Sequence, residues 1–178
     1  MKKLIFVVIA IFVLSFTSFS QTKSVKKSTK PKITKKKVVA KKRKPVFKRE
    51  KFDPKRNAEL DVKNAIAKAT KEKKRIILDV GGEWCGWCIH IDEFLEKNAK
   101  LKKLRDENYV WVKINFSEEN ENEAVLSKYP HIIGYPHLFL LDSDGTFLFS
   151  QDTSELESGN TYNIDKFEDF LMKWKLGN

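Results

Sequence analysis

The chain has 178 residues and a formal net charge of +11, from 35 Lys or Arg against 24 Asp or Glu. That length holds one ordinary domain plus extensions, and two cysteines with three histidines leave scant material for a closed four-ligand metal site. The charge is uneven: Lys23 to Lys51 carries 15 Lys or Arg and a single acid, Glu50, whereas residues 52–178 carry 18 basic and 23 acidic side chains, a net of −5.

Met1, Lys2 and Lys3 precede an apolar run, Leu4 to Leu14, followed by small residues at Ser18 and Ser20. This pattern predicts a secretory signal peptide over residues 1–20, cut between Ser20 and Gln21. The run is shorter than the roughly 20 residues of a comfortable membrane span. The alternative is an uncleaved segment that anchors the chain in an inner membrane. No cysteine follows the cut, which argues against a lipoprotein, and the mature protein is expected to be secreted or periplasmic. Residues 21–51 read as a basic disordered linker, because like charges repel and too few apolar side chains offset the ordering entropy. It serves as a solvated tether, or it attaches to an anionic envelope surface or an acidic partner. Nucleic acid is not an expected partner, since no aromatic residue except Phe47 is interleaved for base stacking.

The folded domain is read as residues 52–178. Asp53 and Pro54 supply a cap and a first helical position, with Leu60, Ala65, Ile66 and Ala69 at helical spacing behind them. Arg75 to Val80 is a short apolar run suited to a buried strand, ended by Gly81 and Gly82. Ile89, Ile91, Phe94 and Leu95 give an amphipathic helix after the cysteines, and a shorter helix covers Ala99 to Arg105. Tyr109 to Phe116 reads as a second buried strand, and a helix falls near the end of the polar stretch that follows. Two apolar runs around Asp142 to Gly145 form a hairpin, and a last helix carries Phe167, Phe170, Leu171 and Trp174 on one side. Alternation of this kind predicts an α/β domain with a mixed sheet and helices on both faces.

Cys85 and Cys88 stand two residues apart, and three chemistries use such a pair. A closed zinc site takes four ligands, and here one cysteine pair would need two of His90, His131 and His137, whose spacing matches no known module. A permanent staple between residues three apart closes so small a loop that it constrains the unfolded chain little. Redox exchange asks for a pair that follows a buried strand and opens a helix, where first-turn amides and the helix dipole stabilise a thiolate. On that reading Cys85 faces solvent and attacks a partner disulfide; Cys88, one turn into the helix and more buried, then attacks the mixed disulfide and releases the product. A CxxC pair beside a strand–helix unit favours the third chemistry without excluding the others.

The stretch Leu78–Cys88, "LDVGGEWCGWC", together with Lys113 in "VWVKINF" and the run "IIGYPHLFLLDSDG", resembles the thioredoxin family over most of residues 57–176. The resemblance implies a thioredoxin fold, with a central mixed β-sheet flanked by helices on both faces. It implies that Asp79, six residues before Cys85, is a buried acid that relays protons to and from Cys88, and that Lys113 faces it across the sheet. A carboxylate buried under a dithiol holds its proton more tightly, which suits a base working near neutral pH. Pro136 is then the cis proline opposite the cysteines. It leaves the backbone of Tyr135 to pair with an extended substrate segment, while Trp84, Gly86 and Trp87 complete the substrate surface. The activity implied is thiol–disulfide exchange, with the Cys85–Cys88 disulfide as the redox group and no further cofactor or metal. The partners implied are protein thiols and disulfides and an upstream electron donor or acceptor protein.

The departures matter as well. Gly86-Trp87 replaces the family's Gly-Pro and also lacks the Pro-His of disulfide-forming oxidases, which points to a reductase; an oxidase, an isomerase and a non-catalytic binding module are the alternatives. Gly81-Gly82 replaces an aromatic–alanine pair, His137 follows the proline where threonine is usual, and extra polar residues lengthen the connection between Phe116 and Pro130. His90 and His137 are candidates to lie near the sulfurs, with an accidental surface position as the alternative for His90.

Overall fold

The computed structural model describes residues 47–177. The expected signal peptide and most of the expected linker therefore lie outside the described residues. Helix α1 (Ala58–Glu72) leads into strand β1 (Arg75–Gly81). Helices α2 (Gly86–Lys97) and α3 (Ala99–Asn108) follow, then β2 (Tyr109–Asn115), a single turn α4 (Glu123–Leu126) and the hairpin β3 (His137–Leu141) with β4 (Phe147–Asp152). A 3-10 turn (Thr153–Leu156), a two-residue ribbon β5 (Glu157–Ser158) and β6 (Thr161–Tyr162), and α5 (Ile164–Lys173) complete the chain. The sheet order is β2-β1-β3-β4, with β1 parallel to β2 and the other pairs antiparallel. The family's mixed sheet is present, with helices on both faces.

Strand alternation divides the interior into two cores. Ile76, Leu78 and Val80 of β1 join Val110, Val112 and Ile114 of β2 and meet Ala58, Ala65 and Ala69 of α1 and Val125 of α4. On the other face Ile77, Leu138 and Leu140 meet Ile91, Phe94 and Leu95 of α2, Leu101 of α3, and Phe167, Phe170 and Leu171 of α5. Asp79 and Gly81 share strand parity with Ile77, so both belong to the α2 side. Small alanines on α1 let that helix approach the sheet closely, while bulky side chains fill the wider space under three helices. Buried between β2 and α5, the Tyr109 hydroxyl donates to the Leu171 carbonyl at 2.6 Å and ties the layers together.

Three expectations need correction. Helix α1 does not start at Asp53-Pro54: Asn57 is its N-cap, its side chain accepting from the Leu60 N–H at 3.0 Å. Asp53 instead closes a preceding turn, accepting from the Lys55 N–H at 2.9 Å. Leu60 is left 52% exposed instead of facing the core, because its spacing from Ala65 and Ala69 puts it off the helix face that those alanines bury. The third helix runs on to Asn108, and the ribbon β5–β6 has no counterpart in the sequence reading. The hairpin turn forms as expected: Asp142 N–H donates to Thr146 O at 2.8 Å, and Gly145 takes the φ of +91° that a side chain would resist. Among the described residues, no helix is long and apolar enough to cross a membrane.

Candidate active site

The parallel pairing of β1 with β2 sets Asp79 beside Lys113, and the antiparallel pairing with β3 sets it beside Leu138. Beyond the end of β1, Cys85 is the N-cap of α2 and Cys88 lies in its first turn. The two are joined as a disulfide. Cys85 Sγ accepts from the Cys88 N–H at 3.1 Å, so one of the orphan amides of the helix start is aimed at the first sulfur. Cys88 is fully buried, whereas Cys85 keeps 6% of its surface. The asymmetry has the expected sense, but Cys85 does not face open solvent: Phe52, Trp87 and Tyr135 pack around the pair.

Asp79 is fully buried, and one of its oxygens is well partnered. Lys113 Nζ donates to Asp79 Oδ2 at 2.9 Å and Trp111 Nε1 donates to the same atom at 3.0 Å. The other oxygen, Oδ1, is buried with no hydrogen-bond partner among the described residues, the one oxygen of this cluster left to accept a proton. Lys113 is 5% exposed; a lysine in a strand is more often on the surface, and here two carboxylates account for its burial. The second is Asp92, which accepts from Lys113 at 2.8 Å and from Arg49 at 3.4 Å. Burial works against the Lys113 charge, yet Asp79 and Asp92 outweigh it and hold its pKa above the ordinary lysine value. Burial, reinforced by Asp79, pushes the Asp92 carboxyl above its usual range while Lys113 and Arg49 pull it down.

Asp92 was missed in the sequence. Its position four residues after Cys88 is the available signal, since residues i and i+4 share a helix face and the face of Cys88 is buried. Phe52 and Arg49 were also missed. Arg49 pairs with Glu83 and Asp92, so the contacts of the domain begin before residue 52.

Around the disulfide, the Tyr135–Pro136 peptide bond is cis. The Tyr135 ring stacks on Phe116 at 4.9 Å and meets Trp84 edge-on at 5.5 Å. The Pro136 carbonyl accepts from the buried Thr153 hydroxyl at 2.6 Å. Trp84 is 59% exposed and donates its indole N–H to the Phe116 carbonyl at 2.7 Å, so an apolar face is held rigid at the surface. A cleft of about 690 Å³ opens beside it, lined by Phe52, Pro54, Phe116 and several glutamates. Gly86 is exposed. Trp87 is half-buried and turns to Tyr162 of β6 and to His90.

The two histidines have different surroundings. His90 bonds Thr161 at 3.1 Å and stacks on Tyr162. His137 pairs with Val80 in the sheet, so its side chain lies on the α1 side, away from Asp79; it contacts Ser150 at 2.7 Å and the ring of Phe139. Among the described residues, no group of three or more His, Cys, Asp or Glu is arranged to hold a metal ion.

Comparison with known proteins agrees with this geometry. A family model described as thioredoxin-like matches residues 57–143. The chain is 26% identical over 94 residues to the thiol:disulfide interchange protein DsbD of Colwellia psychrerythraea, covering 52% of this chain and 15% of that protein. It is 36% identical over 61 residues to human spermatogenesis-associated protein 20, covering 34% of this chain and 8% of the other. The chain thus spans a small part of the length of these curated relatives. A solved structure described as the disulphide isomerase from Xylella fastidiosa Temecula1 superposes with a TM-score of 0.59 at 26% identity, covering 68% of this chain and 94% of that one. Through the domain that carries the Cys85–Cys88 disulfide, the chain belongs to the thioredoxin-like family, as an oxidoreductase domain of the CxxC type.

Proposed function

We propose that the protein is an extracytoplasmic thiol–disulfide oxidoreductase that reduces disulfides of other proteins. The observation that carries this reading is the unequal pair: Cys85 caps α2 with an amide aimed at its sulfur, and Cys88 is buried behind it. In the reduced state the Cys85 thiolate attacks one sulfur of a substrate disulfide, forming a mixed disulfide and expelling the other sulfur as a thiolate, which takes up a proton. Cys88 then gives its proton to Asp79 and attacks Cys85 Sγ. The Cys85–substrate bond breaks, the second substrate thiolate is protonated in turn, and the intramolecular disulfide remains. Two electrons pass to the substrate, and an upstream dithiol protein must restore them.

Lys113 supports the relay by holding Asp79 Oδ2, which leaves Oδ1 as the acceptor. The substrate segment lies extended along the backbone of Tyr135 before cis-Pro136, with Trp84 and the adjoining cleft as apolar contact and Gly86 and Trp87 beside the sulfurs. No histidine stands between the cysteines to stabilise the Cys85 thiolate further, which supports a reductase. The likeness to a structure described as a disulphide isomerase favours isomerisation as the second reading. Export rests on the N-terminal signal pattern, and the basic stretch after it suits an anionic envelope surface.

The test is insulin-disulfide reduction by the full mature chain, with a Cys88→Ala variant used as a trap. Mixed disulfides at Cys85 identified by mass spectrometry are the expected result. Wild-type protein that neither reduces insulin nor exchanges with glutathione would refute the function, and a reduction potential near that of protein disulfide isomerase, about −180 mV, would favour the second reading.

A further inference from the structure

Gly81 leaves a gap that the chain fills from elsewhere. A Cβ there would stand 2.5 Å from Cys88 Sγ and 3.3 Å from Phe52 Cζ, so the ring and the buried sulfur share the space over the end of β1. Phe52 is 2% exposed and forms one cluster with Cys85 and Cys88. Lys113 Nζ lies 4.1 Å from its ring centroid, a cation–π contact made by the same ammonium that holds Asp79 and Asp92. The segment carrying this ring is fastened at two points. Phe52 N–H donates to Glu83 Oε1 at 3.0 Å, and Arg49 bridges Glu83, two residues before Cys85, to Asp92 on α2. Phe52 and Arg49 both precede the residues matched by the family model. Where the thioredoxin pattern has an aromatic residue at the position of Gly81, this chain supplies one through space.

We propose that Phe52 is a positioning residue for the second cysteine: clasped by Arg49 and Glu83, its ring seals the gap over Gly81 and keeps water from Cys88 and from the Asp79–Lys113–Asp92 cluster. The proposal rests on reading Cys88 as the resolving sulfur. In that step the Cys88 S–H proton goes to Asp79, the Cys88–Cys85 bond forms as the Cys85–substrate bond breaks, and the departing substrate thiolate is protonated. A dry Cys88 surrenders its proton to Asp79 when the mixed disulfide is in place. A hydrated Cys88 ionises on its own and reacts with any thiol reagent, and the two sulfurs lose their distinct roles.

The experiment is pH-dependent iodoacetamide labelling of each cysteine in the reduced full-length chain, read by mass spectrometry, for wild type and for Phe52→Ala, Phe52→Leu and Arg49→Gln. Phe52→Ala is expected to speed Cys88 labelling about tenfold and to move its pH profile down toward that of a free thiol, because hydration favours the thiolate. Phe52→Leu, which keeps apolar bulk, restores the wild-type profile, and Arg49→Gln falls between them. Unchanged Cys88 labelling and pH profile in Phe52→Ala with an intact near-UV circular dichroism spectrum overturns the proposal. Should Phe52→Ala lose that spectrum, Arg49→Gln decides: a faster Cys88 supports the seal and an unchanged one overturns it. Insulin reduction by wild type is followed alongside, and its absence sinks the resolving role of Cys88 separately from the labelling result.

Discussion

Replacing Lys113 by methionine removes the one buried cation between Asp79 and Asp92 at nearly constant volume. Two unit charges 2.9 Å apart attract by about 6 kcal/mol at an effective dielectric of about 20. Asp79 and Asp92 each lie within 2.9 Å of one nitrogen, so at roughly 5 Å from each other they repel by about 3 kcal/mol when both are ionised. The variant loses both attractions, is relieved of burying an ammonium, and keeps the repulsion. Cutting one partner from a buried ion pair costs about 3–5 kcal/mol in general, and that range is expected here near pH 7.5.

The pH dependence supplies the sharper test. The Asp92 carboxyl is already raised by burial and by Asp79, while Lys113 lowers it by charge and by hydrogen bond. Without Lys113 the raised value climbs further. An acid with a raised folded-state pKa binds more protons folded than unfolded, from the ordinary carboxylate range up to that raised value, so stability falls as pH rises through the window. The slope for one proton is about 1.4 kcal/mol per pH unit. Lys113→Met should therefore recover part of its deficit as the pH falls from 7.5 to 5.5, read by urea denaturation against wild type at each pH. A deficit below about 1 kcal/mol, far under the range for a broken buried pair, would refute the reasoning, and so would a deficit that does not change with pH.

Asp79→Asn removes the proposed relay's acceptor but not the amide aimed at Cys85, so stopped-flow measurements should find mixed-disulfide resolution slowed about 100-fold, within the range for general acid–base catalysis, with the first attack slowed far less. Gly81→Ala forces a methyl group into the space of Cys88 Sγ and Phe52; a loss of about 1–3 kcal/mol is expected from chemical denaturation, and Phe52→Leu in the same chain should return part of it. Tyr109→Phe leaves the buried Leu171 carbonyl without its donor at 2.6 Å and should cost about 1–3 kcal/mol with no change in cysteine reactivity.

How far the sequence discloses this site depends on whether the information is local. The strands are legible because Ile76 to Val80 and Tyr109 to Ile114 are largely apolar runs, as burial on both faces requires. Asp79 and Lys113 stand out as the charged residues in those runs, and their parallel register makes them partners. His137 is different: its nearness to cis-Pro136 suggests the sulfurs, yet strand parity sends its ring to the α1 side, and parity cannot be counted until the register against Val80 is known. The start of α1 was misread because Asp53-Pro54 and Asn57 both carry cap chemistry, and it is Asn57 that takes the Leu60 N–H while Asp53 closes the turn before it. Starting the helix at Ala58 frees residues 49–56 to run across the loop before Cys85, where Glu83 captures Arg49 and the Phe52 N–H. The ribbon β5–β6 offers two residues per strand, too few to show any alternation, and is placed by Tyr162 packing on Trp87 and Phe94. The glycines at 81 and 82 look, in sequence, like a loss of the aromatic that a thioredoxin active site carries. In the fold Gly81 is the vacancy into which a ring from before the first helix is set, so the apparent departure and the unassigned N-terminal segment are two halves of one feature.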